Sequence, residues 1–468
     1  MPALSTMQIR GFEGDVIAPD HDGYDDARAI WNGTVDRHPR LIARCSSTAD
    51  VAKAVRFARD RNLEIAVRGG GHNVAGTAVC DDGIVIDLSA MRAVTVNPVK
   101  RMARVQGGAL WGDVAHKTQV HGLATTGGMV SHTGVGGLTL GGGIGWLMRK
   151  HGLSVDNLLE AELVTAEGDI IRASAHDHPD LFWALRGGGG NFGIVSAFRF
   201  TLHPIGPTVM AGPVFWAAED TTDVLRFYRE FVAAAPDELG NVIRVGTIPP
   251  WPAVSKNLHF RPAIAVASCY AGTVEDGECA VRALREFGTP LADLVGPTLY
   301  VDHQSSIDDT VPHGWHYYWK ATNLTGISDE VIDIIAEYAY RATSPRSYAA
   351  MFHLGGAVAR PPWDATAYPG RDVQHNIVID AAWLPEQDDS VAAVETAWAR
   401  KFFAALQPHR AGVYVNFLDS DDDTNRIHEA YGDDTYRQLA EVKAKYDPEN
   451  VFHKNKNIPP SMRPTRQT

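Results

Sequence analysis

The sequence predicts an α+β protein with two lobes, and three observations support this fold class. The chain has 468 residues, which is more than a single hydrophobic core usually supports. Glycine is dense in residues 68–76, 127–145 and 187–193 and becomes sparse after about residue 207. Short apolar runs alternate with helical patterns along most of the chain. We therefore predict a nucleotide-binding domain over 1–207, with its core at about 37–207, followed by a second lobe over 208–412.

Individual segments justify this division. A helix is predicted over 47–62, with Ser47 or Thr48 as its N-cap and Val51 and Val55 on one face. Strands of the first domain are predicted at 63–67, 84–88, 163–165 and 194–202. The second lobe alternates strands with amphipathic helices, which favours a largely antiparallel sheet with helices on one face. Its clearest predicted strands are 263–269 and 376–383. Its clearest predicted helices are 331–341 and 390–406. Residues 440–458 read as a helix followed by extended chain.

Composition and charge narrow the possible functions. The formal charge is −13, so bulk charge does not favour binding to nucleic acid or to an anionic membrane. Residues 1–10 do not resemble a targeting peptide, and no apolar run has membrane-spanning length, so we expect a cytoplasmic protein. The four cysteines, Cys45, Cys80, Cys269 and Cys279, show no CxxC pairing. We expect buried free thiols rather than a disulfide or zinc site.

Residues 188–193 match the dinucleotide fingerprint GxGxxG but stand in the wrong context. That fingerprint needs a preceding strand and a following helix, so that the pyrophosphate meets a helix N-terminus. Here a helical pattern over 180–185 precedes the glycines and a strand pattern follows them. We therefore reject a Rossmann site for a nicotinamide cofactor at this position.

Two other glycine loops fit a ligand better. Residues 68–73 (RGGGHN) follow a predicted strand, and three consecutive glycines can turn their amides inward around an anion. The alternative for this loop alone is a flexible turn with a surface histidine. In residues 130–145, glycines alternate with Leu138, Leu140 and Ile144. Such a pattern suits a backbone that packs against a planar ligand with its side chains turned into the core.

These segments together resemble a known family. RGGGHN, HTGVGGLTLGGGIG, HGLSVDNL, DLFWALRGGGGNFGIV and the tail YDPENVFHKNKNI are similar to the signature of the vanillyl-alcohol-oxidase/PCMH flavoproteins. The tail resembles that of the berberine-bridge-enzyme-like branch, which includes bacterial hydroxynicotine oxidase. The resemblance is most specific over 39–205 and 440–460. It implies a PCMH-type FAD-binding domain and a C-terminal segment, 413–468, that returns to it.

The resemblance also implies how FAD is held. The histidine of the RGGGH loop, His72 here, is expected to be bonded to the 8α-methyl of the flavin, with the amides of Gly69 to Asn73 around the pyrophosphate. Some relatives add a second bond from a cysteine, but Val130 occupies that position, so a single linkage is expected. Thr133 stands where relatives place a small residue that is thought to gate oxygen. The remaining residues expected near the cofactor are Arg68, Gly70, Gly71, Gly127, Gly136, Gly137, Gly142, Gly145, Asn157, Gly190, Ile194, Asn455 and Asn457.

The resemblance gives weaker guidance about the substrate side. Tyr414 and Asn416 match the family's Y-x-N strand and are the first catalytic candidates, with satisfied sheet residues as the alternative. His353 lies where several relatives carry a carboxylate, so it is a candidate base, although a structural histidine is the common alternative. His375 has a similar but weaker basis. No metal site is predicted, because His176 and His178 have no third ligand nearby.

The function implied is that of an FAD-dependent oxidase acting on a secondary alcohol, a hemiacetal or a cyclic amine, with O2 as the acceptor. The same fold could instead serve a dehydrogenase with a different acceptor, and a non-redox scaffold is a third alternative. The substrate is expected to be a small molecule. Aromatic residues of the second lobe such as Trp251 and Trp319 would offer stacking surfaces to a ring-shaped one, with ordinary core residues as the more common alternative. A monomer or a homodimer is expected.

Overall fold

The computed structural model describes residues 8–422 and 424–461. The first lobe consists of short strands and helices. Its strands are β1 (Asp15–Ile17), β2 (Leu41–Arg44), β3 (Ile65–Arg68), β4 (Ile84–Asp87), β5 (Val94–Asn97), β6 (Met102–Gln106), β7 (Leu123–Ala124), β8 (Leu158–Val164), β9 (Ile170–Ser174), β10 (Ile194–Thr201) and β11 (His203–Pro204). Its helices are α1 (Tyr24–Arg28), α2 (Thr48–Arg59), α3 (Trp111–Gln119), α4 (Val135–Leu140), α5 (Met148–His151) and α6 (Pro179–Leu185).

Two sheets organise this lobe. The first has the order β1-β2-β4-β3, with β4 parallel to both β2 and β3. The second has the order β5-β6-β10-β8-β9 and is antiparallel throughout. Helix α2 packs between them through residues such as Val51 and Val55. The Ser47 side chain accepts a hydrogen bond from the Asp50 amide, which confirms the predicted start of this helix.

The second lobe is built on one large sheet. Its strands are β12 (Thr208–Ala217), β13 (Leu239–Thr247), β14 (Pro262–Tyr270), β15 (Ala292–Asp293), β16 (Gly296–Leu299), β17 (His316–Leu324), β18 (Tyr348–His353) and β19 (His375–Trp383). They form the order β15-β12-β14-β13-β18-β19-β17, with β16 also on β12. All of these pairings are antiparallel, as predicted.

Helices cover one face of this sheet. The lobe's helices are α7 (Thr221–Ala233), α8 (Val274–Arg285), α9 (Tyr300–Ser305), α10 (Asp329–Tyr338) and α11 (Asp389–Leu406). Helices α7, α8, α10 and α11 pack against every second residue of the strands, for example Ile243, Met351 and Ile379. Because side chains alternate along a strand, the intervening residues point to the opposite face. That opposite face is turned towards the first lobe.

The C-terminal segment returns to the first lobe. Helix α12 (Thr424–Tyr446) packs against α6, and its Leu439 joins the core of the antiparallel sheet. The fully buried ammonium of Lys443 donates to the Asn191 carbonyl at 2.7 Å, to the Asp447 carboxylate at 2.6 Å and to the Phe452 carbonyl at 3.0 Å. These bonds join the segment to the 188–193 glycine loop.

The cysteines are free thiols, but not all of them are buried. Cys45, Cys80 and Cys269 are buried, as expected, whereas Cys279 is exposed on α8. That part of the prediction is wrong, because α8 turns only one face towards the sheet. Within the described residues, no helix is both long and apolar enough to cross a membrane.

Candidate active site

A cavity of about 400 Å³ lies between the two lobes and the C-terminal segment. The first lobe contributes the RGGGHN loop, residues around Gly136 and the 189–195 segment. The second lobe contributes the face of its sheet that the helices leave open. The C-terminal segment contributes residues around Tyr414 and Asn455. The cavity therefore joins the segments that the sequence singled out.

His72 lies in the cavity wall and is half-buried. It follows β3, and its ring stacks on Trp31 at 4.3 Å between centroids. Burial lowers the pKa of His72 well below its usual value, and the neighbouring His132 and His313 lower it further. The imidazole is therefore neutral at neutral pH. Its Nε2 atom is buried without a hydrogen-bond partner in the described structure.

Glycines bring backbone close to backbone beside His72. A Cβ atom on Gly70 would lie 2.4 Å from the Gly134 amide nitrogen, so the RGGGHN loop and the segment before α4 fit only without that atom. Other glycines border open space. An added Cβ on Gly137 would meet nothing within 4 Å, and on Gly190 it would only just reach Asn455. A smooth backbone surface thus faces the cavity.

Ten of the residues expected near a cofactor lie in the cavity wall. They are Gly70, Gly71, His72, Asn73, Thr133, Gly136, Gly137, Gly190, Ile194 and Asn455. Seven of the expected residues lie outside the cavity wall. They are Arg68, Gly69, Gly127, Gly142, Gly145, Asn157 and Asn457.

Arg68 and Asn157 are structural. The Arg68 guanidinium pairs with the buried Asp87 carboxylate at 2.7 Å and donates to the Ala27 carbonyl. The Asn157 amide donates to the carbonyls of His151 and Leu153, both at 2.9 Å. These contacts direct both side chains away from the cavity, so their predicted cofactor contacts are not supported.

The remaining glycines outside the wall allow close packing elsewhere. A Cβ on Gly127 would overlap the Trp111 ring, and one on Gly145 would overlap the Gly127 carbonyl. Gly142 packs against the rings of Tyr368 and Tyr414. A Cβ on Gly69 would approach only the Gly107 carbonyl, at 3.1 Å. Backbone packing therefore explains the first three without contact with a ligand.

The N-x-N tail reaches the cavity through one of its two asparagines. Asn455 lines the cavity and donates to the Gly190 and Phe452 carbonyls, both at 3.1 Å. Asn457 lies outside the cavity wall. The side-chain oxygens of both residues are buried without a partner in the described structure.

Tyr414 and Asn416 lie together in the cavity wall. The Tyr414 hydroxyl oxygen accepts hydrogen bonds from the Gly143 amide at 2.9 Å and from the Asn416 amide at 2.7 Å. Asn416 also donates to the Leu138 carbonyl at 3.0 Å. Burial raises the pKa of Tyr414 above its usual value, so the group stays a phenol at neutral pH. Two donors occupy the phenol oxygen, which leaves its proton free to donate.

His353 does not reach the cavity. In β18, Tyr348, Ala350 and Phe352 line the cavity, whereas His353 points to the helix-covered face with Met351. Its Nε2 lies 3.0 Å from Arg149 Nη1. Burial, with the Arg149 charge and His375, lowers the pKa of His353 to about 2. The predicted role of His353 as a base is therefore not supported, and His375 lies outside the cavity wall as well.

A carboxylate occupies the cavity face in the adjacent strand. Asp380 of β19 pairs in register with Tyr348 of β18 and Trp319 of β17, and all three line the cavity. Neither carboxylate oxygen has a hydrogen bond of good geometry, although the Tyr348 hydroxyl and Trp319 indole are near enough to stabilise its charge. Burial outweighs them and raises the pKa of Asp380 to about 7. Sequence reasoning missed this residue, although an aspartate inside the apolar run 376–383 was a visible signal.

Sequence comparison places the chain among known proteins. Residues 39–174 match the family model described as "FAD binding domain", and residues 413–459 match "Berberine and berberine like". The (R)-6-hydroxynicotine oxidase of Paenarthrobacter nicotinovorans is 33% identical over 461 residues, which cover 96% of this chain and 97% of that protein.

Solved structures agree with this placement. The 6-hydroxy-D-nicotine oxidase of Arthrobacter nicotinovorans superposes with a TM-score of 0.86 at 30% identity, over 97% of this chain and 100% of that one. A glucooligosaccharide oxidase of Acremonium strictum, which carries a 6-S-cysteinyl, 8α-N1-histidyl FAD, has a TM-score of 0.82 at 25% identity, over 96% and 98% of the two chains.

The fold and the cavity thus define an FAD-linked oxidoreductase of the two-lobed PCMH type. More particularly, the chain belongs to the berberine-bridge-enzyme-like family of FAD-linked oxidases.

Proposed function

We propose that this protein carries FAD on a single covalent bond from His72 and oxidises a small alcohol, hemiacetal or amine, with O2 as the final acceptor. One observation carries the proposal. A neutral imidazole, His72, lines the same cavity as a buried carboxylate without a hydrogen bond of good geometry, Asp380. A nucleophile for the flavin and a base for the substrate therefore share one enclosed space.

The residues present fit FAD. The glycine surface of the RGGGHN loop and α4 leaves room for a phosphate-bearing ligand, and backbone amides there can bind its anionic groups. His72 is neutral, as attack on the flavin 8α-methyl requires. Val130 lines the cavity, and none of the four cysteines does. This supports a single linkage, in contrast to the doubly linked FAD of the glucooligosaccharide oxidase.

The proposed reaction balances as the loss of two electrons and two hydrogens from the substrate. When bound, FAD would supply the acceptor for the hydride lost from carbon, and O2 would take the two electrons with two protons to give H2O2. Asp380 accepts the proton from the substrate O–H or N–H, so that a C=O or C=N bond forms. With a pKa of about 7, this carboxylate can both take and release a proton near neutral pH.

Tyr414 and Asn416 hold the substrate in this scheme. Because two N–H groups fix the Tyr414 oxygen, its O–H points in a defined direction and can donate to the substrate's reacting oxygen or nitrogen. Asn416 orients Tyr414 and the backbone at Leu138. The walls of Trp319, Phe352 and Phe417 keep water away from the reacting groups.

Acid precipitation of the purified protein tests the covalent bond. We expect the yellow flavin to stay with the pellet of the wild type and to be released to the supernatant, or absent, for His72→Ala. The His116→Ala variant, which changes an exposed histidine on α3, should behave like the wild type. Flavin that is released from the wild type would contradict the linkage and leave the family assignment intact.

The acceptor can be tested without knowing the substrate. The holoenzyme is reduced with dithionite and mixed with air-saturated buffer. Fast return of the oxidised flavin spectrum with peroxide release supports the oxidase. Slow return in air but fast return with a quinone dye would instead support the dehydrogenase alternative.

A further inference from the structure

The cavity face of the large sheet is almost entirely apolar, with a few polar exceptions. Alternate residues of its strands line the cavity, and the apolar ones are Pro213, Phe215, Val242, Ala265, Ala267, Ala350, Phe352 and Val378. The polar exceptions are Trp319, Tyr348, Asp380 and Arg244. Arg244 is the one side chain in this set that carries a permanent positive charge.

No described carboxylate pairs with the charge of Arg244. The Arg244 guanidinium forms no ion pair with any described carboxylate, and its Nε is buried without a hydrogen bond. The Tyr348 hydroxyl and, at a greater distance, Asp380 act on this charge, and the half-buried Arg244 side chain lines the cavity. A guanidinium keeps its proton, so an unpaired charge here is costly unless something in the cavity neutralises it.

The orientation of Arg244 leaves it ready to bind a planar anion. Its guanidinium carbon lies 3.5 Å from the centre of the Tyr348 ring. Stacking of this kind uses the face of the guanidinium and leaves the in-plane N–H groups free. Those groups match the two oxygens of a carboxylate in a bidentate contact. Tyr348 therefore holds the guanidinium by its ring and, through its nearby hydroxyl, by one of the N–H groups, and the other N–H groups can bind a ligand.

Arg244 and Asp380 are placed so that one small molecule can reach both, with an anionic group at Arg244 and a proton-donating group at Asp380. Arg244 pairs with Ala350 of β18, which pairs with Val378 of β19, two residues from Asp380. Sheet spacing places the two Cα atoms about 12 Å apart. The Arg244 guanidinium lies over the ring of Tyr348, which pairs directly with Asp380, so the two charged groups are closer together than their Cα atoms. One small molecule can therefore carry both the anion bound by Arg244 and the group that gives its proton to Asp380.

From this geometry we infer that the substrate carries a carboxylate, which Arg244 binds, on an apolar or aromatic body that packs against Phe215, Trp251 and Phe352. This inference rests on the proposed function, because it assigns the substrate class of the same cavity. It narrows that class to carboxylate-bearing alcohols and amines.

The test compares two probes of nearly the same size and shape, of which only one carries a carboxylate. Calorimetry on the purified holoenzyme measures the affinities of phenylacetate and phenylacetamide. We expect phenylacetate to bind about ten- to a hundredfold more tightly, as for a charge-assisted hydrogen-bonded pair. Arg244→Met should abolish the preference, and Arg244→Lys should keep part of it. Arg341→Met removes the same charge from an exposed position and should keep the full preference.

Several results would overturn the inference. These are equal affinities for the two probes in the wild type, no measurable binding of phenylacetate, or a preference that survives in Arg244→Met. The flavin content of the same preparation reports separately on the proposed function. If the protein carries covalent flavin but binds both probes equally, the carboxylate inference is wrong and the proposed oxidase stands. If it prefers phenylacetate but carries no flavin, the proposed oxidase is wrong and the carboxylate site stands.

Discussion

Whether a titratable side chain reaches this cavity depends on which face of its strand it occupies. His353 and Asp380 lie on neighbouring strands of one sheet, yet His353 faces the helices and Asp380 faces the cavity. The sequence predicted both strands, and their alternation was readable. The sequence did not show which face of the sheet the helices would cover, because that depends on where α7, α8, α10 and α11 pack. His72 and Tyr414 were predictable because they belong to continuous motifs.

Asp380→Asn tests the base. We expect kcat to fall by about 10²- to 10⁴-fold, because an amide cannot accept the substrate proton. The wild-type kcat/KM should rise with pH through about 7, since the carboxylate must be ionised to act as a base. That rise should disappear in the variant, and steady-state kinetics across pH measures both effects. Asp380→Glu should keep part of the activity. Unchanged kcat and an unchanged pH profile in Asp380→Asn would rule the assignment out.

At the level of elements, the glycine-rich segments proved more regular than their composition indicated. Residues Val135–Leu140 form the short helix α4 despite two glycines, which disfavour helices. Buried Val135 and Leu140 anchor this helix in the core, so tertiary packing overrides local preference. Composition alone could not predict this, because the partner is the RGGGHN loop about 60 residues earlier in the chain, at Gly70.

Gly70→Ala tests this contact between loops. The new methyl group would meet backbone atoms of Gly134, which cannot rotate away. We expect a loss of about 1–3 kcal/mol in unfolding free energy and a smaller fraction of chains with covalent flavin. Urea denaturation and the absorbance of acid-washed protein measure these. Gly326→Ala, where an added Cβ meets nothing within 4 Å, should change neither. Wild-type flavin content in Gly70→Ala would show that the close approach is unimportant.

Over the whole molecule, distant parts of the chain meet at one cavity. The Trp31 indole donates to the Val311 carbonyl at 2.8 Å and the Asn32 amide to the Tyr317 carbonyl at 3.0 Å, which joins the first lobe to the second. Lys443 joins the C-terminal segment to the first lobe. The sequence predicted the lobes and the returning tail. It could not predict these joining contacts, which depend on how the lobes pack.

Lys443→Met tests the joining of the tail. Loss of the ammonium would leave the Asp447 carboxylate buried without its cation, which costs about 3–5 kcal/mol for a buried pair. Urea denaturation should show this loss. Lys445→Met removes an exposed partner of Asp180 and should change stability by at most about 1 kcal/mol. Equal stability of the two variants would mean that the buried pair does not hold the tail in place.

The two-faced sheet also bears on how such a scaffold can diversify. Cavity-facing positions such as Val242, Ala265 and Ala350 alternate with positions that pack under the helices, so the two sets of side chains lie on opposite sides of one backbone layer. Mutations in the first set can alter what the enzyme accepts while the helix-side core keeps its packing. New specificities can therefore arise in small steps, because a substitution on the cavity side leaves the packing under the helices unchanged.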